Sequence, residues 1–301
     1  MENNEDILYN WSDGVDSFPQ REQLTSRDNS MKNFSSIIKP LLEVLEPRHI
    51  CEIGADLFQN SRFLLSATEC WKTKLDIVDI AFEGDDPVVT GSSRVKLYNQ
   101  KSVQYLSGDV KADTFFIDGD HNYETVSEEL RLITQHERWT SLFLHDTGWP
   151  CAYRDFYYNE ISEELKEECV SSGYISPFNT SNGVHFEGYF KTKEGGEKNG
   201  VLKAVEDFCS SSTDSLICCS IPSVFGLTMI FNEKQLTLDQ KEQIRVFLSA
   251  LDFCNPFLSF LELRHLHSLV EIEQAGRVWK ENQEYIKILE TRLARIEESK
   301  I

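Results

Sequence analysis

Two short apolar runs, each followed at once by acidic and imidazole side chains, constrain the fold of this chain most. Residues 115–117 and 142–144 have the length and composition of strands that are buried on both faces of a sheet. The first run is followed by Asp118, Asp120 and His121, and the second by His145 and Asp146. Ligands of open α/β sheets bind beyond the carboxyl ends of the strands, so these side chains are predicted to converge on one site.

Around these runs, residues 31–233 alternate predicted strands with predicted helices. Strands are expected at 49–53, 75–80, 95–98, 114–118 and 142–145, and helices at 31–45, 61–71, 101–106, 123–136, 155–172 and 201–210. Two further strands, 215–220 and 225–231, have no helix between them. The pattern predicts an α/β domain with a Rossmann-like, doubly wound and mostly parallel sheet that has an antiparallel edge strand.

Three segments flank or interrupt this domain. Residues 1–30 form a polar lead segment, and residues 173–200 form a glycine-rich, loop-like insertion that is predicted to act as a lid. Residues 234–301 are predicted to form a helical tail. A heptad seam through this tail includes Trp279 and Leu289, with Asn282 at a core position, and favours a coiled coil. A single amphipathic helix folded back on the domain accounts for the pattern equally well.

Composition and charge exclude some partners. The 301 residues carry a formal charge of −20, so nucleic acid is not expected as a ligand. The N-terminus lacks the basic and apolar regions of a signal peptide, and no run approaches the ~20 apolar residues of a membrane span. The eight cysteines are dispersed apart from the adjacent pair Cys218 and Cys219. We therefore expect a cytoplasmic protein with reduced thiols and no membrane span.

The ends of the first two strands carry a possible cofactor motif. Glu52-Ile53-Gly54 stands where the first strand turns into a helix, and Asp79 closes the second strand. A carboxylate at that place can accept two hydrogen bonds from ribose hydroxyls. An ordinary strand-end turn and a solvated loop acid are the alternatives. The sequence has no G-x-G-x-x-G and no G-x-x-x-x-G-K-[ST], which disfavours a nicotinamide dinucleotide and a phosphate-cradling loop.

The fourth and fifth strands end in groups suited to acid–base or metal chemistry. Two carboxylates such as Asp118 and Asp146 repel when brought together, unless a cation or a shared proton lies between them. Mg²⁺ prefers oxygen ligands of this kind. His121 can act as a general base because its ordinary pKa lies near neutral pH. Helix caps and a surface histidine are the alternatives for these residues, and His145, at the end of a buried strand, can be purely structural.

These residues resemble a known family. Glu-Ile-Gly at 52–54, the acid at 79, Phe-Ile-Asp-Gly-Asp-His-Asn-Tyr-Glu at 116–124 and Leu-His-Asp at 144–146 are similar to class I S-adenosylmethionine-dependent methyltransferases. The nearest subgroup methylates polysaccharides and macrolide sugars. The resemblance implies that S-adenosylmethionine is bound by Glu52, Gly54, Asp79 and Ser102. It also implies His121 as the base, Asp118 and Asp146 as ligands of Mg²⁺, and Trp149, Arg154 and Tyr157 as substrate contacts.

The sequence departs from the family pattern at two positions. His145 stands where the metal-dependent relatives have an acid, and Phe58 stands where a further glycine of the cofactor loop is expected. The expected function is an O-methyltransferase that acts on a sugar hydroxyl of a glycan or glycoside. The alternative is a degenerate, methyltransferase-like scaffold that assembles a homo-oligomer or a complex through its tail. A hydrolase ranks last because the sequence has no G-x-S-x-G turn.

Overall fold

The computed structural model describes residues 30–298 except 83, 85, 159, 160, 179 and 224. The predicted lead segment, apart from residue 30, therefore lies outside the described residues. Seven strands form the main sheet: β1 (His49–Ile53), β2 (Lys74–Asp79), β3 (Val95–Asn99), β4 (Thr114–Ile117), β5 (Ser141–His145), β9 (Leu216–Ile221) and β10 (Leu227–Asn232).

The strand order of the main sheet is β3-β2-β1-β4-β5-β10-β9. The first five strands of this order are parallel, whereas β10 runs antiparallel to both β5 and β9. All residues of β4, β5 and β10 are buried, as continuous apolar strands in the middle of a covered sheet must be. The predicted Rossmann-like sheet with an antiparallel edge is therefore confirmed. Strand order runs outward from β1 to β3 on one side and from β4 to β5 on the other, so the order reverses between β1 and β4, and this switch point is where α/β sheets bind ligands.

Helices cover both faces of the main sheet. They are α1 (Ser35–Leu45), α2 (Gln59–Ala67), α3 (Pro87–Thr90), α4 (Ser102–Leu106), α5 (Tyr123–Ile133), α6 (Glu163–Lys166), α7 (Val201–Ser211) and α8 (Leu238–Glu298). One core joins α1, α2 and the start of α8 to the sheet through residues such as Leu42, Leu64 and Ile244. The other joins α4, α5 and α7 through Leu106, Leu130 and Val205.

A second, three-stranded sheet replaces the helix and loop that were expected at 155–200. It contains β6 (Phe156–Tyr157), β7 (Cys169–Ile175) and β8 (Val184–Lys191), in the antiparallel order β6-β8-β7. The predicted helix 155–172 was wrong, because only Glu163–Lys166 within the glutamate-rich run is helical. Cys169-Val-Ser-Ser-Gly-Tyr-Ile175 has the β-branched and aromatic residues of a strand, which outweighed the helical propensity of the preceding glutamates. The predicted action of 173–200 as a lid stays a prediction.

In the described residues beyond Asn232, a short 3₁₀ helix, Glu233–Gln235, is followed by one long helix. α8 has 61 residues and contains Pro256. Ile244, Leu248, Leu266 and Val270 are buried against the domain, whereas residues 278–292 are exposed. Contrary to the expectation from sequence, Leu238–Arg292 is long and apolar enough to cross a membrane by length and composition alone, with a hydropathy of 1.4 in its most apolar window.

Candidate active site

Two histidines and two aspartates meet beyond the ends of β4 and β5. Nε2 of His121 lies 3.0 Å from Asp146 Oδ2 and 3.6 Å from Asp118 Oδ1. Nδ1 of His145 lies 3.1 Å from Asp118 Oδ1 and 3.2 Å from Asp146 Oδ2. The structure thus brings together four of the five side chains whose convergence the sequence predicted, with each carboxylate facing both imidazoles. The fifth, Asp120, instead accepts from the hydroxyl of Thr125 at 3.5 Å.

Strand ends and backbone geometry position this cluster. Asp118 directly follows β4, and its amide donates to the carbonyl of Ile53 in β1 at 2.8 Å. His145 is the last residue of β5 and is only 1% exposed. Asp146 adopts a φ of 55°, a left-handed conformation that costs an ordinary residue ~1 kcal/mol. Backbone strain of this kind persists where the surrounding structure fixes it, and it concentrates at functional sites.

The cluster is held together by opposite charges. Burial raises the pKa of Asp118, but the charge of His145 and hydrogen bonds from both histidines outweigh it and bring the pKa down to about 2. Burial alone would lower the pKa of His145, yet Asp118 and Asp146 raise it to about 10. At neutral pH His145 is therefore a buried cation between two carboxylates.

The other side of His121 faces two groups that the sequence did not single out as site residues. Nδ1 of His121 lies 2.7 Å from the hydroxyl of Tyr158 and 3.9 Å from Sγ of Cys151. Although Tyr158 is 61% exposed, its hydroxyl points inward to the histidine. Because the carboxylate of Asp146 lies 3.0 Å from Nε2 and its negative charge favours a proton there, Nδ1 is the nitrogen that can gain or lose a proton. Burial lowers the pKa of His121, but the Asp146 charge and the other neighbours raise it well above its ordinary value.

The turn after β1 has the close backbone approach that the sequence motif predicted. Gly54 has a φ of +82°, and a Cβ at this position would lie 2.1 Å from the carbonyl oxygen of Asp118. No other residue type fits there without moving β4. Asp79 caps the same turn, because its carboxylate accepts from the amides of Ala55 at 2.8 Å and Ala81 at 3.0 Å. Each of its oxygens keeps a second lone pair that a ribose hydroxyl can use.

Glu52 and Ser102 have different surroundings. Glu52 is buried, and its carboxylate accepts from Asn60 Nδ2 at 2.9 Å and from the hydroxyl of Ser61. Burial raises its pKa to about 8. It therefore ties β1 to α2, which gives it a role in shaping the turn. Ser102 begins α4 and lies beside the carboxylate of Glu129, whose pKa burial raises to about 8.

Phe58 retains a glycine-like backbone. Its φ is 60°, which explains why a glycine is expected at this position. Its ring is 1% exposed and stacks on Phe82, with 5.6 Å between ring centroids and 10° between planes. The side chain is thus part of the apolar core that also contains Ala55 and Leu64.

Two of the three predicted substrate residues are engaged in internal bonds. Arg154 Nη1 donates to the carbonyls of Lys191 and Thr192 at 2.6 and 2.8 Å, and Tyr157 donates to Asp155 at 3.0 Å. Asp155 also accepts from the amides of Tyr123 and Gly200 at 2.7 Å each. These bonds join β6 to α5, to the end of β8 and to the start of α7. They hold the second sheet beside the cluster, and the substrate role predicted for Arg154 and Tyr157 stays a prediction.

Trp149 is the predicted substrate residue whose surroundings still suit a ligand. It is half-buried and packs edge-on against Phe186 of β8, with 5.6 Å between ring centroids. Its indole Nε1 is buried, and no described residue accepts a hydrogen bond from it. A buried donor without a partner costs free energy, so an acceptor atom of a ligand would stabilise it.

The side-chain atoms of the cluster suit a protonated His145 between the two carboxylates better than a bound Mg²⁺. Asp118, His145 and Asp146 each offer one atom within 4.8 Å of the others, as do His121, Asp146 and Cys151. Mg²⁺ takes oxygen ligands and keeps several waters, whereas two imidazole nitrogens already stand within hydrogen-bond distance of the carboxylates. To bind an ion there, His145 must first lose its proton. The predicted metal therefore stays a prediction, and no chemical step below depends on it.

Comparison with solved structures shows distant likeness in fold. A Podospora anserina methyltransferase bound to S-adenosylhomocysteine is 15% identical, with a TM-score of 0.43, and the match covers 74% of this chain and 86% of that one. A Burkholderia thailandensis 1,6-didemethyltoxoflavin-N1-methyltransferase is 13% identical, with a TM-score of 0.41 and coverages of 73% and 85%. A Bacillus cereus O-methyltransferase is 13% identical, with a TM-score of 0.40 and coverages of 70% and 86%. No protein-family model and no curated protein matches this chain.

Proposed function

We propose that this protein is an S-adenosylmethionine-dependent O-methyltransferase that acts on a sugar hydroxyl. The observation that carries the proposal is the alignment of a hydroxyl, a histidine and a carboxylate. Tyr158 stands 2.7 Å from Nδ1 of His121, and Asp146 stands 3.0 Å from Nε2 of the same ring. This is the arrangement of a general base held by an acid, with a hydroxyl already at the place from which a proton is removed.

In the proposed reaction, an acceptor hydroxyl takes the place of the Tyr158 hydroxyl at Nδ1 of His121. S-adenosylmethionine, when bound, supplies a methyl group on a cationic sulfur. Nδ1 of His121 takes the hydroxyl proton as the oxygen–methyl bond forms and the sulfur–methyl bond breaks. Asp146 keeps the ring oriented and stabilises the imidazolium that results, while His145 balances the charge of Asp118 and Asp146.

The cofactor side of the site lies at the ends of β1 and β2. Gly54 lets the turn approach β4, and Asp79 holds the amide of Ala55 while keeping lone pairs for ribose hydroxyls. For the acceptor, the half-buried ring of Trp149 offers an apolar face and an unpaired N–H, a combination that suits a sugar ring with its hydroxyls. A glycan or glycoside is therefore the proposed acceptor class.

Cofactor binding is the first test, and Asp79 is the residue to change. We expect the protein to bind S-adenosylmethionine and S-adenosylhomocysteine by isothermal titration calorimetry. The Asp79→Ala variant loses the ribose contact and the cap on Ala55, so its Kd should rise ~10–100-fold, as for the loss of hydrogen bonds to a charged group. Asp109→Ala is the matched control, because Asp109 lies on the surface and pairs with Lys111. Equal affinity of the two variants would contradict the role of Asp79.

The same titration separates the enzyme from the scaffold alternative. The scaffold hypothesis rests on Phe58 and on the helical tail. The ring of Phe58 lies in the core and its backbone keeps the geometry of a glycine. If neither cofactor binds, the protein is not a methyltransferase. If both bind, incubation with labelled S-adenosylmethionine and glycan extracts, followed by mass spectrometry, identifies the methylated acceptor.

Metal removal tests the predicted assistance by Mg²⁺. Because His145 already supplies a positive charge between the carboxylates, we expect dialysis against a chelator to leave the methyl-transfer rate unchanged. The measurement is turnover of the acceptor identified above, before and after chelation and after addition of Mg²⁺ or Zn²⁺. A loss that one of these ions restores would show that the cluster binds a metal in the active enzyme.

A further inference from the structure

Helix α8 has two apolar faces, and the described part of the chain packs against one of them. Ile244, Leu248, Leu266 and Val270 pack against the domain. The opposite face, here called the outer stripe, begins with Val246, Phe253, Phe257, Phe260 and Leu261. The first four positions are separated by seven, four and three residues, and Leu261 follows Phe257 by four, which places all five on one side of a helix.

The outer stripe is unusually exposed for its residue types. Phe253 is 88% exposed, Phe257 62% and Phe260 54%. Between residues 244 and 261 the sequence has only two charged side chains, Arg245 and Asp252, in a chain whose formal charge is −20. A contiguous apolar patch of this kind marks an interaction surface.

The same side of the helix continues beyond the domain. Ile272, Trp279, Ile286 and Leu289 extend the outer stripe, and all of them are exposed. Residues 278–292 are exposed throughout. A helical segment of this length without packing partners is marginal in water, so the projecting half of α8 needs a surface to pack against.

We propose that the outer stripe binds the outer stripe of a second copy of this chain and forms a symmetric homodimer. The three phenylalanines alone would bury roughly 400 Å² per copy, since a fully buried phenylalanine contributes about 200 Å². A stable interface needs about 800 Å² per partner, and the continuation through Trp279 and Ile286 provides further apolar area along the helix. Arg264 and Glu271 separate the stripe into two apolar segments, and each segment can pack against the same segment of a second copy, as a two-fold interface requires.

Charge distinguishes a second copy from a lipid surface. An anionic membrane attracts basic segments, whereas this chain carries 50 acidic against 30 basic residues. Within a dimer, the uncharged stripe is the place where two acidic molecules can approach with the least repulsion. The proposal is independent of the proposed methyl transfer, because the stripe lies on the side of α8 opposite to its contact with the catalytic domain.

The test is the mass in solution of the full chain, measured by light scattering and by sedimentation equilibrium. We expect a dimer for the native sequence. In the double variant Phe253→Ser, Phe257→Ser, the dissociation constant should rise at least ~100-fold, because two buried aromatic residues are removed from each copy. Lys280→Ser, Glu284→Ser is the matched control on the other side of the same helix and should remain dimeric. Circular dichroism and thermal unfolding show whether each variant is folded.

Each outcome decides the proposal. A native monomer at micromolar concentration, or a double variant that dimerises as strongly as the native chain, overturns it. Flotation with phosphatidylcholine vesicles tests whether the outer stripe binds lipid instead. A native monomer that binds the vesicles, together with a double variant that does not, would assign the outer stripe to lipid. Cofactor titration of the double variant stays unchanged if the stripe acts only in dimerisation, so failure of this proposal and failure of the proposed function are distinguishable.

Discussion

Replacing His121 with alanine is expected to lower kcat/KM for methyl transfer by ~10²–10⁴-fold, the usual contribution of a general base. The affinity for S-adenosylmethionine should stay nearly the same, because the contacts assigned to the cofactor lie at the ends of β1 and β2. The expected loss of rate follows from the position of Nδ1, which faces the Tyr158 hydroxyl at 2.7 Å while Nε2 faces the Asp146 carboxylate at 3.0 Å. Turnover of the acceptor and calorimetry with the cofactor measure the two effects separately. An equal loss of both would reject His121 as the base.

The pH profile provides an independent readout of the same role. Only deprotonated His121 can accept a proton, so activity should rise as pH increases through its pKa. Burial lowers that pKa, but the charge of Asp146 raises it well above its ordinary value. Asp146→Asn removes this charge and should therefore move the rising limb to lower pH by ~1–3 units. Tyr158→Phe is the matched control: it removes the hydroxyl that covers Nδ1 but leaves Asp146 in place, so the limb should move less. A limb that Asp146→Asn leaves in place would mean that another group titrates.

Much of the domain could be predicted because its central strands are buried on both faces. Residues 115–117 and 142–144 have to be apolar for that reason, and their length distinguishes them from helices. The second sheet was missed for the opposite reason. Its strands are partly exposed, and β6 has only two residues, so neither an apolar run nor a clear alternation distinguished them from a helix and a loop.

The sequence predicted the part of the site that is formed by residues at the ends of the parallel strands. Asp118, His121 and Asp146 converge because β4 and β5 are parallel neighbours. The choice of Tyr157 over Tyr158 depended on which side of a short strand each residue occupies, and consecutive residues of a strand point to opposite faces. If β6 had been predicted from the sequence, the alternation of its side chains would have shown that Tyr157 and Tyr158 point to opposite faces. Arg154 was assigned to the substrate because guanidinium groups bind ligands, and its two backbone acceptors come from residues 37 and 38 positions away.

The second large effect is expected when His145 is replaced, and the quantity affected is the stability of the fold. His145→Leu removes a buried cation and leaves Asp118 and Asp146 facing each other, which should lower the free energy of unfolding at neutral pH by ~3–5 kcal/mol. Chemical denaturation measures this loss. The folded pKa of about 10 lies above the ordinary value of 6.5. The stabilisation from His145 is therefore complete below pH 6.5 and is lost as pH rises through 10. The native protein should lose stability over this interval, and the variant should not.

A second substitution shows whether charge is the cause. In the double variant His145→Leu, Asp118→Asn, one carboxylate is replaced by a neutral amide of similar shape, so part of the lost stability should return. The single variant also leaves the two carboxylates with one cationic neighbour, His121, in place of two, and paired carboxylates of this kind suit Mg²⁺ or Ca²⁺. Millimolar Mg²⁺ or Ca²⁺ should therefore raise the melting temperature of His145→Leu but not that of the native protein or the double variant. If the double variant is no more stable than the single one, His145 acts through packing, including its edge-on contact with Phe34 at 5.8 Å, and the charge balance assigned to the cluster is wrong.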